Sequence, residues 1–110
     1  MNWELKYHPA YWQGKKLAYP DVPKEHPKFA QSIRLGNLVF VSGCGGKNTI
    51  SGDAAPERVH DQVKVALDKA RRALETAGSS MENIVKTLFL IRDLDDYAEV
   101  RKSEPEYYVE

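Results

Sequence analysis

The chain has a single cysteine, Cys44, so it can form neither an internal disulfide nor a cysteine-rich zinc site. No segment approaches the roughly 18 consecutive apolar residues that a membrane-spanning helix needs. The N-terminus also lacks the basic and then apolar pattern of a signal peptide. We therefore expect a cytoplasmic protein that is not inserted in a membrane.

An excess of charge is missing as well, because sixteen Lys and Arg residues balance sixteen Asp and Glu residues. No net field draws the chain to nucleic acid or to an anionic membrane, so we expect no nucleic-acid partner. With 110 residues, 42% apolar and 29% charged, the composition is typical of one soluble globular domain. A domain of this size buries only about two thirds of its unfolded surface, and a partner subunit could add to that burial.

Residues 1–28 are rich in aromatic residues and contain four prolines, each of which biases the preceding residue away from helix. We interpret this segment as an N-terminal arm. Two interpretations of the arm stay open. It is either a surface strap held down by Trp3, Tyr11 and Trp12, or a lid over a ligand cleft.

A β-hairpin is predicted next. Residues 30–35 alternate in polarity, Gly36 and Asn37 form a turn, and the apolar run 38–41 predicts a buried second strand. The run leads into Ser-Gly-Cys-Gly-Gly at positions 42–46, where glycines permit positive φ and a close approach of the backbone to a ligand. This turn is a candidate binding site, and a bulge or sheet corner is the alternative.

The clearest helix is predicted between Asp53 and Gly78, with Pro56 in its first turn and Gly78 at its C-terminal cap. Apolar residues recur there at three- and four-residue spacing. They are Val59, Val63, Ala66, Leu67, Ala70, Leu74 and Ala77. The charged residues off this stripe, Arg58, Lys64, Asp68, Arg71 and Glu75, are expected in solvent.

A central strand is predicted at 84–91, where β-branched and aromatic residues follow one another. A second helix should follow, capped by Asp95 and Asp96, with Tyr97 and Val100 on its apolar side. Pro105 predicts a break and a restart of that helix. Three strands and two helices make an α+β sandwich with one sheet face covered, and the uncovered face predicts oligomerisation.

Residues 29–43 resemble the opening of the Rid family, which is also called YjgF-type or endoribonuclease L-PSP. In that family an aromatic residue and a Gln precede a Gly-Asn turn and a hydrophobic strand that ends in Ser-Gly. Gln62, the helix to Ala77-Gly78 and the segment from Ile84 to Tyr97 follow the same order. The resemblance covers residues 29–110. It implies a chorismate-mutase-like (bacillus type) sheet with two helices packed on one face.

The resemblance further implies a homotrimer with ligand clefts at its subunit interfaces. The implied activity is a hydrolase reaction, the deamination of small enamine or imine substrates to ammonia and a 2-oxo acid. It needs no metal and no organic cofactor. Three alternatives stay open: a 2-aminomuconate-type deaminase, a non-catalytic small-metabolite-binding relative, and an endoribonuclease, which the neutral charge disfavours.

The resemblance assigns the site residues. The Gly43 backbone carbonyl would be catalytic, holding the substrate nitrogen or water. Ser42, Cys44 and Gly45 would line the pocket, and Phe29 would stand where the family usually has Tyr. Phe29 lacks the Tyr hydroxyl, and Cys44 replaces the usual Gln, as either a small cleft-lining residue or a reactive thiol.

The family's carboxylate-binding Arg and water-activating Glu belong to strands that would lie beyond residue 110. We therefore expect residues 29–110 to be a C-terminally incomplete Rid-like domain. Three histidines, His8, His26 and His60, have no metal-ligand spacing and are expected to be structural or solvated. Lys47 and Asn48 could reach a ligand anion, but a turn at a hairpin tip is the commoner role.

Overall fold

The computed structural model describes residues 5–9, 11–12, 15–16, 30–47 and 53–104. In these residues lie strands β1 (Leu5–Pro9), β2 (Tyr11–Trp12), β3 (Lys15–Lys16), β4 (Ala30–Leu35) and β5 (Leu38–Val41), and helices α1 (Val59–Thr76) and α2 (Tyr97–Ser103). Short 3-10 turns cover Met81–Asn83 and Leu94–Asp96. The chain is an α+β protein.

The main sheet is antiparallel with the order β1-β4-β5, and β2 and β3 form a separate two-stranded sheet. The predicted hairpin is confirmed, since β4 and β5 pair from Ser32↔Val41 to Leu35↔Leu38 around Gly36, whose φ is 58°. Residues 5–9, inside the segment interpreted as an arm, pair with β4 as an edge strand. The sequence analysis did not predict that pairing.

The second hairpin strand is not buried on both sides as predicted. Leu38 and Phe40 are 49% and 58% exposed, while Val39 and Val41 pack against the core. The reason is that α1 covers only one face of the sheet, so alternate side chains of β5 point away from it.

Helix α1 is confirmed, but it begins three residues after Pro56 rather than around it. Arg58 is still extended, and the first helical bond runs from the Gln62 amide to the Arg58 carbonyl at 3.0 Å. At the other end Gly78, with φ 84°, closes a Schellman motif. There the Gly78 and Ser79 amides donate to the carbonyls of Glu75 and Leu74.

The core forms where α1 packs on β4, β5 and α2. Its buried members are Val63, Leu67, Leu74, Met81 and Val100. Two polar side chains join the hairpin to the helix. Buried Ser32 donates to the Ala73 carbonyl at 3.3 Å. Arg34 donates to the carbonyls of Gly36 and Ala77 at 3.0 and 2.9 Å.

The predicted central strand at 84–91 does not form. Ile84, Phe89 and Ile91 pack against the core, but Val85, Leu88 and Leu90 are 98%, 80% and 89% exposed. In the described part of the chain this segment pairs with no strand. The β-branched composition is that of a strand, but a strand also needs a partner backbone.

The second helix starts as predicted near residue 97, and Asp96 occupies its N-cap position, but the Asp96 side chain makes no capping hydrogen bond. The Asp93 carboxylate caps the preceding 3-10 turn instead, where it accepts a hydrogen bond from the Asp95 amide at 3.0 Å. Val100 is buried, but Tyr97 is 55% exposed and contributes little to the apolar side. The predicted break at Pro105 and the restart lie outside the described residues.

Candidate ligand-binding site

The glycine-rich turn at 42–46 lies at the end of β5 and lines a groove of about 1190 Å³. Residues of α1 and of the unpaired segment 84–91 also line the groove. Four predicted site residues, Ser42, Gly43, Cys44 and Gly45, are thus brought together on one wall. Phe29, the fifth, lies outside the described residues.

Polar contacts to β4 fix the start of this turn. Both the amide and the hydroxyl of Ser42 donate to the Gln31 carbonyl, each at 3.1 Å. The Gln31 amide group lies 3.7 Å from the Cys44 sulfur, and the Cys44 thiol donates to the Ser42 carbonyl at 3.4 Å. Ser42 and Cys44 are therefore held against Gln31, with each side chain half-buried.

The turn glycines do not use the positive φ that glycine permits. Within the described residues the glycines with positive φ are Gly36 and Gly78. A β-carbon added at Gly43 or Gly45 would meet nothing within 4 Å. At Gly46 it would stand 2.8 Å from the Cβ of Gln62, so this glycine lets the turn approach α1.

Lys69 is a member of the site that the sequence analysis missed. It lies on α1, is only 8% exposed, and donates to the carbonyls of Gly45 at 2.8 Å and Lys47 at 2.9 Å. Lys69 lies three residues after Ala66 and four before Ala73 on the helix, a spacing that permits burial but does not identify the carbonyls that it binds. Small neighbours at these spacings leave room for a long side chain to lie along the apolar face.

The electrostatics of the site depend on two groups. Burial raises the pKa of the Cys44 thiol above its ordinary value, while the positive charges of Lys69 and Arg72 and the Gln31 contact oppose that rise. Burial lowers the pKa of the Lys69 amine. Cys44 is consequently a neutral thiol at neutral pH, which favours its interpretation as a small cleft-lining residue over a nucleophile.

The remaining candidates lie elsewhere. The His60 Nδ1 atom lies 2.9 Å from the Ser103 hydroxyl and links α1 to α2. His8 is a half-buried residue of β1, and His26 and Asn48 lie outside the described residues. Lys47 is exposed and touches the site through its carbonyl. Over the described ranges, no three His, Cys, Asp or Glu side chains gather to hold a metal ion.

Comparison with known proteins decides the family, because the sequence model of the family described as endoribonuclease L-PSP matches residues 20–110. The chain belongs to this family. The earlier resemblance to Rid proteins is thereby confirmed. In the parts of the chain that the structure describes, no helix is long and apolar enough to cross a bilayer.

Relatives and solved structures agree with this assignment. The 2-iminobutanoate/2-iminopropanoate deaminase of Escherichia coli is 30% identical over 96 residues, which cover 87% of this chain and 74% of the deaminase. A crystal structure from Entamoeba histolytica assigned to endoribonuclease L-PSP has a TM-score of 0.73 at 28% identity and covers 94% of this chain and 76% of its own. Escherichia coli TdcF with bound serine has a TM-score of 0.72 at 25% identity, with 93% and 73% covered.

Proposed function

We propose that this protein is a Rid-type deaminase that hydrolyses small enamine or imine compounds to ammonia and a 2-oxo acid. The observation that carries the proposal is the turn 42–45, which lines one wall of the groove. It does so in a chain 30% identical to a bacterial 2-iminobutanoate/2-iminopropanoate deaminase. The site of action is the cytoplasm.

The reaction needs few protein groups. Water adds to the carbon of the C=N bond, the nitrogen takes up protons, and the carbinolamine expels ammonia to leave a C=O bond. A backbone carbonyl can accept a hydrogen bond from the substrate N–H or from the attacking water and so orient it. Gly43 is exposed, and a β-carbon added there would meet nothing within 4 Å, so its backbone is accessible from the groove.

The charges near the turn favour an anionic substrate. The charged groups that act on Cys44 are Lys69 and Arg72, and both are cationic. A carboxylate next to the reacting C=N bond would gain from this local field although the chain as a whole is neutral. A bound serine in TdcF, a small carboxylate-bearing molecule, supports the same class of ligand.

Cys44 takes no covalent part in the proposed reaction. A thiol whose pKa is raised by burial is a poor nucleophile. Its hydrogen bond to the Ser42 carbonyl further favours the protonated form. It shapes the pocket wall where the family usually carries a Gln.

The groove also supports the proposal that the domain is C-terminally incomplete. Among the described strands β5 pairs only with β4, and residues of β5 and of the unpaired segment 84–91 line the same groove. A strand between them would satisfy both backbones and cover Leu88 and Leu90, which are 80% and 89% exposed. We propose that polypeptide following Glu110 supplies that strand, together with the Arg and Glu that the resemblance implies.

The homotrimer belongs to the same proposal. Phe40 and Leu38 are half-exposed on the sheet face opposite α1, and an apolar face of this kind is a candidate subunit interface. Packing there would place the ligand clefts between subunits. The mass of the full-length protein in solution, measured by light scattering, tests this assembly, and a monomer would contradict it.

The test of the activity uses the full reading frame of the gene. Ammonia release is measured from dehydratase-generated 2-aminoacrylate and, separately, from 2-aminomuconate. We expect release above the buffer rate from the former, and release from the latter alone would identify the catabolic alternative. A folded trimer that accelerates neither reaction would refute the deaminase proposal.

A second candidate is a non-catalytic protein that binds a small metabolite in the same groove. The neutral Cys44 thiol in the place of a Gln favours it. Calorimetric titration of the full-length protein with a 2-oxo acid separates the two candidates when it is combined with the ammonia assay. Binding without turnover supports the second candidate.

A further inference from the structure

The buried amine of Lys69 is the main polar link between α1 and the glycine-rich turn. Its two carbonyl partners belong to Gly45 and Lys47, at 2.8 and 2.9 Å. They lie on either side of Gly46, the residue that packs on Gln62. One ammonium group therefore holds the turn at two points that flank its closest approach to the helix.

The middle of the turn has no side chain of its own that could anchor it, because residues 45 and 46 are both glycine. A β-carbon added at Gly43 or Gly45 would meet nothing within 4 Å. Hydrogen bonds from a charged donor are stronger than bonds between neutral groups. Removing the ammonium would leave both carbonyls without this donor, and a glycine-rich backbone can then reorient at little steric cost.

We infer that Lys69 is a positioning residue of the site: by clamping the Gly45 and Lys47 carbonyls, it fixes the second half of the turn and, together with the Gln31 contacts that hold Ser42 and Cys44, sets the direction of the Gly43 carbonyl. The catalytic consequence rests on the proposed deaminase function. The clamp itself does not, because it is a property of the turn. Lys69 itself touches neither water nor substrate in this scheme.

The test compares Lys69→Met with Lys64→Met in the full-length protein. Methionine keeps the length and apolar stem of lysine and removes the donor, and Lys64 is an exposed residue of the same helix. Amide hydrogen exchange at residues 42–47 is measured first, since it requires no substrate. We expect faster exchange in Lys69→Met and unchanged exchange in Lys64→Met.

Two further readouts separate positioning from a general loss of structure. A misplaced carbonyl should lower kcat by roughly tenfold to a hundredfold with a smaller change in KM. The pH at which Cys44 alkylation reaches half its maximal rate should be higher in Lys69→Met, because the nearby positive charge that favours the thiolate is gone. A packing defect elsewhere on α1 would not lower kcat with little change in KM. It would also not move the Cys44 alkylation profile to higher pH.

Lys69→Gln covers the case in which Lys69→Met does not fold. Its amide can donate to one carbonyl, so exchange and kcat should lie between wild type and Lys69→Met. The inference would be overturned if Lys69→Met and Lys69→Gln both showed the amide exchange, the kcat and the alkylation profile of the wild type. If the wild type releases no ammonia, the deaminase proposal fails alone, and the exchange and alkylation results still decide the clamp.

Discussion

Gly46 lies so close to α1 that an added β-carbon would stand 2.8 Å from the Cβ and 3.1 Å from the Cα of Gln62. Gln62 is fixed in turn, because its side-chain amide donates to the Pro56 carbonyl at 2.6 Å. We predict that Gly46→Ala lowers the free energy of unfolding by about 1–3 kcal/mol, the usual cost of overpacking. Urea denaturation of the full-length protein measures it.

The matched control for that change is Gly45→Ala. The added methyl group meets nothing within 4 Å, and Gly45 does not have a positive φ. Its free energy of unfolding should stay within about 0.5 kcal/mol of wild type, as for an ordinary surface change. Equal losses in the two variants would show that contact with Gln62 is not what requires a glycine.

Gly78 is required for a different reason, its backbone conformation. Its φ of 84° lies in the left-handed region, and an added β-carbon would also approach the Arg34 guanidinium to 2.8 Å. Gly78→Ala should cost about 1–2 kcal/mol from the backbone alone. Gly78→Asn should cost less, because Asn tolerates this region. Thermal unfolding of both variants measures the two costs. A larger cost for Gly78→Asn than for Gly78→Ala would contradict the conformational explanation.

Cys44 should react slowly with iodoacetamide at neutral pH. Burial raises its pKa in the folded state, so the half-maximal alkylation rate should come at a higher pH in buffer than in urea. By linkage, the stability that this thiol contributes is complete below its unfolded pKa. That contribution is lost as the pH rises through the folded pKa. Coincident profiles in buffer and urea would contradict the burial of the thiol.

Ser103 connects the two helices through His60. Its hydroxyl donates to the Glu99 carbonyl at 2.8 Å, so its oxygen accepts from His60 Nδ1 at 2.9 Å. Because Ser103 is only 1% exposed, Ser103→Ala should cost about 1–2 kcal/mol. Thr76→Ala is the control, since Thr76 bonds the Arg72 carbonyl at 2.8 Å from an exposed position.

A double-mutant cycle isolates that connection. Coupling between Ser103→Ala and His60→Ala should be about 0.5–1.5 kcal/mol if the direct bond contributes. Additive losses would mean that each residue stabilises its own helix only.

Patterns within a few residues of one another predicted the long helix, its C-terminal cap and the hairpin. The 3.6-residue periodicity gave α1, and the Gly36-Asn37 turn between apolar runs gave the hairpin. The Schellman end followed from Gly78 alone. These features need no knowledge of distant residues, because each is decided within a few positions of the chain.

Features that depend on distant partners could not be predicted in this way. The strand expected at 84–91 needs another backbone beside it. The alternation at residues 5–8 is compatible with a strand, but it does not identify β4 as the partner of β1. In the sequence Lys69 resembles the other charged residues of the helix, because its partners in the turn are distant along the chain. The position of the candidate turn was predictable from its glycines, but the groups that hold it were not.

Arg34 links the hairpin to the C-terminal end of α1. Its guanidinium joins the Gly36 carbonyl in the hairpin turn to the Ala77 carbonyl at the end of α1. The final turn of a helix normally frays independently of distant structure. Here opening of that turn also breaks the Arg34–Ala77 bond, so fraying at the end of α1 is coupled to the hairpin through one side chain.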